Sequence, residues 1–406
     1  MAGESMVAAL DIGTSKIVCI IGERDSCGGI FVIGHGHAPV DGLKRGMVVD
    51  MDKTVKSIRK AIDDAQLVSG TEIDRVTVGI AGEHIRSIDS HGVVAIGRSD
   101  HEITSLDMTR AIEAARTIAI PVDREIIHVI PQDYSVDDQT NIKDPVGMSG
   151  VRLEVQAHIV TASVTSAKNI FRALERSRLG IDHMVLESLA LSEFVLTERE
   201  TETGSVSVDI GGEITDVSLF YDNAIRHTAV IPVGGRHVTN DIAIGLKMTI
   251  DQAEELKIAH GAALASLVDP ADMIHIPGIA GRSMRELSRN VLASICEPRM
   301  EEILALVGRE IKKEARNKSL TGGLVLTGGG SLLPGTLELA EQMFSMPVRR
   351  GVIRGIEHTP DELNSVRYAT VHALMQYGFK HEAKDQHRGS MKSWIRKMEN
   401  WITKQF

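Results

Sequence analysis

Apolar and polar positions along the chain follow two periods, alternation at two and a stripe at about 3.6 residues, and the periods succeed one another. Residues 6–12 (MVAALDI) and 16–22 (KIVCIIG) are apolar runs on either side of Gly13-Thr14-Ser15, which predicts two strands joined by a tight turn. A helical stripe over 51–68 and a strand over 73–81 follow. Between about 83 and 162 the texture changes to short strands, a helix near 105–117 and the Pro/Gly/Asp-rich passage IPQDYSVDDQTNIKDPVGMSGVRLEV, the mark of an inserted subdomain. Residues 166–178 and 185–199 are expected to be helical. A second strand–turn–strand begins at 205 (SVSVDIGGEITDVSLFY), followed by IPVGG at 231–235 and a long helical region from about 237 to 315. GLVLTGGG at 323–330 predicts a strand, then a helix capped by Ser331 with Pro334 in its first turn. Residues 366–378 form a last packed helix in this reading.

The two turns are copies in pattern. Each places an apolar strand, then Asp-Ile-Gly, then small residues, then another apolar strand, at 11–13 and again at 209–211. Backbone N–H groups converging in such a turn can hold a phosphate, and an Asp at its start can hold Mg²⁺ through water. Asp11 with Gly13, Thr14, Ser15 and Lys16, and Asp209 with Gly211, Gly212 and Thr215, fit that chemistry. One Asp-Ile-Gly alone is common at strand ends; the matched pair, followed in order by IPVGG and LTGGG, is not. A P-loop is excluded because Gly335 is followed by Thr336 and no Lys, and a dinucleotide fingerprint starting at Gly328 fails at Leu333.

Composition narrows the class. The chain has 406 residues, enough for several domains, with ordinary globular values of 43% hydrophobic and 25% charged residues. A net charge of −10 argues against nucleic acid as a partner. Cys19, Cys27 and Cys296 are far apart and lack CxxC spacing, which fits a reduced cytoplasmic protein without a disulfide framework or zinc site. His35 and His37 share a strand face, but no third ligand of suitable spacing accompanies them. No leader peptide and no apolar stretch of about 20 residues is visible.

The order LDIGTSK, VDIGG…TD, PVGG, LTGGGSLLPG is similar to the actin, Hsp70 and sugar-kinase superfamily. Within it, HVIPQDYSVDDQTNIKDPVGMSGVRLE, PVGGRHVTNDIAIGL and ICEPRMEEILALV resemble the FtsA family of bacterial cell division proteins over essentially the whole chain. The resemblance implies an α/β, actin-like (ribonuclease H-like) fold of two lobes with a duplicated core. The first lobe would take 1–82, 163–204 and 366–379, with the family's own subdomain inserted at 83–162. The second lobe's core would take 205–245 and 316–365, with an outer subdomain at 246–315. It further implies that the two loops hold ATP phosphates and Mg²⁺ through Asp11 and Asp209, with Gly234 and Gly235 beside them. Glu254 and Lys257 would hold the ribose, and Gly328, Gly329 and Gly330 would admit the adenosine. Without the resemblance, Glu254 and Lys257 would be a solvated i,i+3 pair.

Two departures bear on turnover. Glu213 stands where the family has a glycine, which sets a carboxylate beside the phosphates and removes a residue free to take φ > 0. Glu187 is the candidate for orienting water, as in related filament ATPases, but Ser188 replaces the Pro found there. ATP binding with slow or absent hydrolysis is therefore expected.

After a polar linker at 380–390 comes a separate unit, MKSWIRKMENWITKQF. On a helix, Met391, Trp394, Ile395, Met398, Trp401, Ile402 and Phe406 fill an arc of roughly 140°, opposed by Lys392, Arg396, Lys397 and Lys404 with one acid, Glu399. Both tryptophans of the chain lie here. This pattern predicts an amphipathic helix lying in the plane of an anionic inner-membrane surface, binding weakly alone and firmly in an array. The family implies a filament of this chain that ties FtsZ to the inner membrane at the division site and recruits later division proteins. Arg282, Arg285 and Arg289 are candidate contacts for the acidic FtsZ tail. The competing readings are a small-molecule (sugar-type) kinase, which neither insert nor tail suits, and an Hsp70-like chaperone, which lacks its β-rich peptide-binding domain.

Overall fold

The computed structural model describes residues 5–276, 284–315 and 318–385. Strands β1 (Ser5–Ile12) and β2 (Lys16–Arg24) are antiparallel around the Gly13–Ser15 turn, and β3 (Ile30–Pro39) extends the meander. A two-residue turn joins β4 (Leu43–Lys44) to β5 (Met47–Val48). Helix α1 (Met51–Ser69) starts at Asp50, whose side chain accepts from the Lys53 N–H, and ends where Gly70 turns left-handed at φ 68°. β6 (Arg75–Ile80) then pairs parallel with β1.

The chain next leaves this layer for a sheet of its own. β7 (Arg86–Ala95), α2 (Ser105–Arg116), β8 (Arg124–Val136), β9 (Gln139–Ile142) and β10 (Arg152–Ser163) form a four-stranded antiparallel sheet in the order β7-β10-β8-β9, with α2 over one face. Its core, with Ile103, Ala111, Tyr134, Leu153 and Val155, is separate from the others. The chain returns through α3 (Val164–Arg176) and β11 (Gly180–Leu186), which pairs parallel with β6 and completes a sheet ordered β11-β6-β1-β2-β3. α4 (Glu187–Val195) and α5 (Glu198–Thr203) lead onward.

The second half repeats the plan. β12 (Ser205–Ile210), β13 (Thr215–Tyr221) and β14 (Ala224–Ile231) form the meander. Helices α6 (Gly235–Leu246) and α7 (Ile250–His260), the hairpin β15 (Met273–Ile276) and β16 (Arg285–Ser288), and α8 (Arg289–Ala315) follow. β17 (Gly323–Thr327), α9 (Thr336–Phe344) and β18 (Val348–Arg350) close a sheet ordered β14-β13-β12-β17-β18. Strand for strand this matches the first sheet. In both, the Asp-Ile-Gly strand is central, flanked by its hairpin partner on one side and a parallel strand on the other. α10 (Ala369–Asp385) comes back to pack on β1 and α4. The alternation of β1 explains the layers: Ala8, Leu10 and Ile12 face the α1–α3 side, while Val7 and Ala9 face α4 and α10.

Three expectations need correction. The region 237–315 is not one helical run: Lys247, left-handed at φ 54°, stops α6, and a β-hairpin separates α7 from α8. Ser331 is no helix cap; its hydroxyl donates to the Gly328 carbonyl at 2.7 Å within a short 3₁₀ turn, and left-handed Gly335 precedes α9. The segment from 380 begins as helix, because α10 runs to Asp385; the His381 ring stacks on Tyr377 at 3.9 Å and Lys380 pairs with Glu193. The tail residues 391–406 and Arg282 lie outside the described residues.

Candidate functional site

The two mirrored hairpins meet. A Cβ added to Gly212 would stand 3.0 Å from the Ser15 Cβ and 3.2 Å from the Thr14 Oγ1, so glycine is what permits this approach. The Glu213 N–H donates to Thr14 Oγ1 at 2.9 Å, one lobe's loop bonding the other's. Both turns have the same length, since Ile12 pairs with Ile17 and Ile210 with Thr215. Gly234 and Gly235 lie under the second turn: the Gly235 and Arg236 N–H groups donate to the Gly211 and Gly212 carbonyls at 2.9 and 2.7 Å.

Carboxylates gather behind the turns. Asp11, Glu187 and Asp216 are buried, and Asp209 Oδ1 and Asp216 Oδ1 have no hydrogen-bond partner. Asp209 Oδ2 accepts from the Thr370 hydroxyl at 3.1 Å. Burial pushes the Asp11 carboxyl up to about 7 and that of Asp209 up to about 6; Asp209 adds to the rise at Asp11. Glu187 and Asp216 are raised well above the usual carboxylate range, first by burial and then by repulsion from Asp11 and Asp209. Lys16 offsets part of this charge. Its ammonium is itself pulled down to about 7 by burial and by Arg367, while Nζ donates to the Arg367 carbonyl at 3.0 Å and lies 3.4 Å over the Tyr368 ring.

A cluster of clashing, partly unpartnered carboxylates is what a divalent cation relieves. Among the described residues no three acidic, His or Cys side chains close on one point as direct ligands would. Carboxylate oxygens of this kind are the donors that a hard divalent cation takes.

Of the residues expected at the nucleotide, Glu254, Lys257, Gly328, Gly329 and Gly330 lie next to the second turn, with one exception to the pattern. Lys257 Nζ reaches the Gly235 carbonyl at 3.1 Å, Thr239 Oγ1 at 2.9 Å and Glu254 Oε2 at 2.7 Å, so Glu254 and Lys257 are tied to the IPVGG loop instead of being a free surface pair. Gly328, at φ 77°, packs against Asp209 and Ile210; Gly330 packs on the Ile210 side chain, and Gly329 faces open space. Thr215 is the exception. Its hydroxyl is buried and donates to the Val233 carbonyl at 2.8 Å, fastening the loop below and not facing the cleft. Glu187 opens α4 from within the protein, a burial that its sequence position did not reveal. Arg285 and Arg289 lie elsewhere, on the β15–β16 hairpin and at the start of α8. Arg285 donates to the Leu246 carbonyl at 2.6 Å and Arg289 pairs with Asp272 at 3.1 Å, so both serve internal contacts.

Sequence reasoning missed Asp216, Thr370, Arg367 and Tyr368. The signal for Asp216 was available, because two residues after a turn of known length it must pair with Asp209 across the hairpin. The other three come from a segment far along the chain and had no local signal.

Two central meanders of identical strand order, joined by loops across a cleft, define an actin-like protein. Among solved structures of this fold, the PilM–PilN type IV pilus biogenesis complex matches with a TM-score of 0.67 at 17% identity, over 92% of this chain and 98% of that one. MreB5 of Spiroplasma citri bound to ADP matches at 0.57 and 12% identity, over 95% of this chain and 99% of that one. Sequence comparison goes further. Residues 206–373 match the family described as Cell division protein FtsA, and 82–161 match the SHS2 domain inserted in FTSA. Cell division protein FtsA of Pseudomonas aeruginosa is 45% identical over 378 residues, covering 93% of this chain and 90% of the relative. That of Escherichia coli K12 is 36% identical over 414 residues, covering 99% and 98%. The chain belongs to the FtsA family of actin-like cell division proteins.

Proposed function

We propose that this protein is a nucleotide-dependent scaffold that binds ATP with Mg²⁺ in the cleft, assembles into filaments and ties the division machinery to the inner membrane. The observation that carries the nucleotide reading is the convergence of Asp11, Asp209 and Asp216 behind two glycine turns in contact, with buried carboxylate oxygens that lack partners. Backbone N–H groups of the Gly13–Lys16 turn and of Gly212 would receive the phosphates, Glu254 and Lys257 the ribose, and the open face of Gly329 the adenosine. Mg²⁺ would supply charge neutralisation between the carboxylates and the phosphates. The chain's own contribution is to hold these carboxylates buried and close together. Slow or absent hydrolysis belongs to the same reading, resting on Ser188 after Glu187 and on Glu213 in the second turn.

For the membrane, the amphipathic stripe and basic face of 391–406 support an interfacial anchor. The Escherichia coli relative aligns over 99% of this chain, which takes in that tail. Among the described residues, no helix is long and apolar enough to cross a membrane. The partners would be further copies of this chain, the FtsZ tail and later division proteins. The test is sedimentation with anionic liposomes, with and without ATP. The full chain should pellet with lipid, more completely with ATP, and a chain ending at 390 should stay in the supernatant while remaining folded. Co-sedimentation of the shortened chain would overturn the membrane assignment.

A further inference from the structure

The side chain of Glu213, which the phosphate chemistry would sooner be without, has a place of its own. It does not face the carboxylate cluster. One oxygen accepts the Arg45 backbone N–H at 2.7 Å and the other lies 3.4 Å from Arg236 Nη1; only 16% of the side chain is exposed. Its backbone is not left-handed, so the missing glycine costs no strain. Meanwhile the Glu213 N–H is occupied by Thr14 Oγ1. Three separate parts of the chain are thus fastened at one residue: the first phosphate turn, the tip of the β4–β5 hairpin, and the start of α6.

The hairpin tip carries the contact further. Arg45 and Gly46 take φ of 50° and 78°, the two-residue left-handed turn that matches strand twist. The Arg45 carbonyl accepts the Glu83 N–H at 3.1 Å, and its guanidinium pairs with the Glu83 carboxylate at 3.1 Å. A Cβ on Gly46 would stand 2.5 Å from the Ala81 carbonyl, so the tip is wedged against the strand end from which the inserted subdomain departs.

From this geometry we propose that Glu213 is an inter-lobe latch, a positioning residue that holds the cleft closed and transmits closure through Arg45 to the root of the inserted subdomain. The proposal rests on the nucleotide reading of the cleft and adds to it how that cleft is regulated. Parting the lobes must separate Thr14 from the Glu213 N–H and the Glu213 carboxylate from the Arg45 N–H, and the second of these is charge-assisted. The closed arrangement is therefore favoured before any nucleotide arrives. A consequence follows for selectivity. Because Thr14 already satisfies the N–H at 213, a terminal phosphate gains less there, and the preference for a nucleoside triphosphate over a diphosphate is reduced.

Hydrogen exchange of the full chain without nucleotide tests the latch directly. The Arg45 amide should be protected in the wild type, exchange about ten-fold faster in Glu213→Gly, and fall between the two in Glu213→Gln, which keeps an acceptor without the charge. The Glu83 amide should follow the same order. With ATP and ADP titrations added, Glu213→Gly should raise the triphosphate preference several-fold. Equal Arg45 exchange in wild type and both variants would overturn the latch. Should Glu213→Gly unfold, the comparison of Glu213→Gln with Arg236→Ala carries the test, both loosening Arg45. A wild type that binds no nucleotide would remove the reading of the cleft, yet the nucleotide-free exchange result would still decide the latch.

Discussion

Gly328 lies directly against Asp209: a Cβ built on the glycine would stand 2.1 Å from Asp209 Oδ1 and 2.5 Å from the Ile210 carbonyl oxygen. The contact joins the turn after β17 to the carboxylate that starts the second Asp-Ile-Gly turn, and the backbone at Gly328 is left-handed, φ 77°. Gly328→Ala should therefore lose about 1–3 kcal/mol to backbone strain, with further loss from overlap, and displace Asp209. Gly329→Ala has open space around it and should melt like the wild type while weakening nucleotide binding only. Thermal melts and ATP titrations of the two variants side by side check the contrast.

The buried carboxylates set a pH dependence whose sign is fixed by their shifts. Asp11 and Asp209 hold protons in the folded state up to about 7 and about 6, whereas the unfolded chain releases them near 3.8. Between these values the folded state binds more protons, so their contribution makes the nucleotide-free protein less stable as pH rises from about 4 to about 7. Lys16 acts oppositely above that window, because the unfolded chain keeps its proton up to 10.5 and the folded state releases it near 7. Melts over a pH series should show a shallow minimum near neutrality, and Asp11→Asn should flatten its acid side. Mg²⁺–ATP stabilisation should grow across the same window, since the ion needs the charged carboxylates.

Asp216 separates stability from binding. Its Oδ1 is buried without a partner, and an isosteric amide removes the charge at little change in shape. Asp216→Asn should stabilise the nucleotide-free protein by roughly 1–2 kcal/mol and abolish most of the Mg²⁺ dependence of ATP affinity. Calorimetric titration with and without Mg²⁺, beside a denaturation curve, reads both effects.

The inserted subdomain is pinned to the second lobe by a buried ion pair. Arg226 on β14 bonds Asp133 on β8, which also takes Lys143 at 2.7 Å; the Arg226 and Asp133 side chains are 8% and 10% exposed. Asp133→Ala leaves the buried Arg226 with only the more distant Asp222 carboxylate, 3.8 Å away, and should cost about 3 kcal/mol, while Asp133→Ala with Arg226→Met should recover a large part of it. Urea denaturation of the two single variants and the double variant measures the coupling.

Much of this architecture was legible in the residues because its signals are local. Asp-Ile-Gly between apolar runs announces a hairpin wherever it stands, and finding it at 11–13 and again at 209–211 pointed to a repeated lobe before any strand order was known. The hairpin in the 273–288 stretch was hidden because it interrupts a long polar-apolar mixture with no Asn-Gly or Asp-Gly turn to mark it. The start of α9 was misplaced because Ser331 is a good cap by type, yet its hydroxyl closes a tighter turn on Gly328.

By itself, then, the amino-acid order determined most of the strands and helices, the matched Asp-Ile-Gly turns and the amphipathic pattern of 391–406, because each depends on neighbours within a few residues. Only the tertiary structure decided that Glu187 is buried, that Thr215 turns to Val233 and that Glu213 bonds Arg45. Each of those outcomes depends on which distant backbone group arrives at a given side chain, and that is set by the packing of two sheets and an insert against one another.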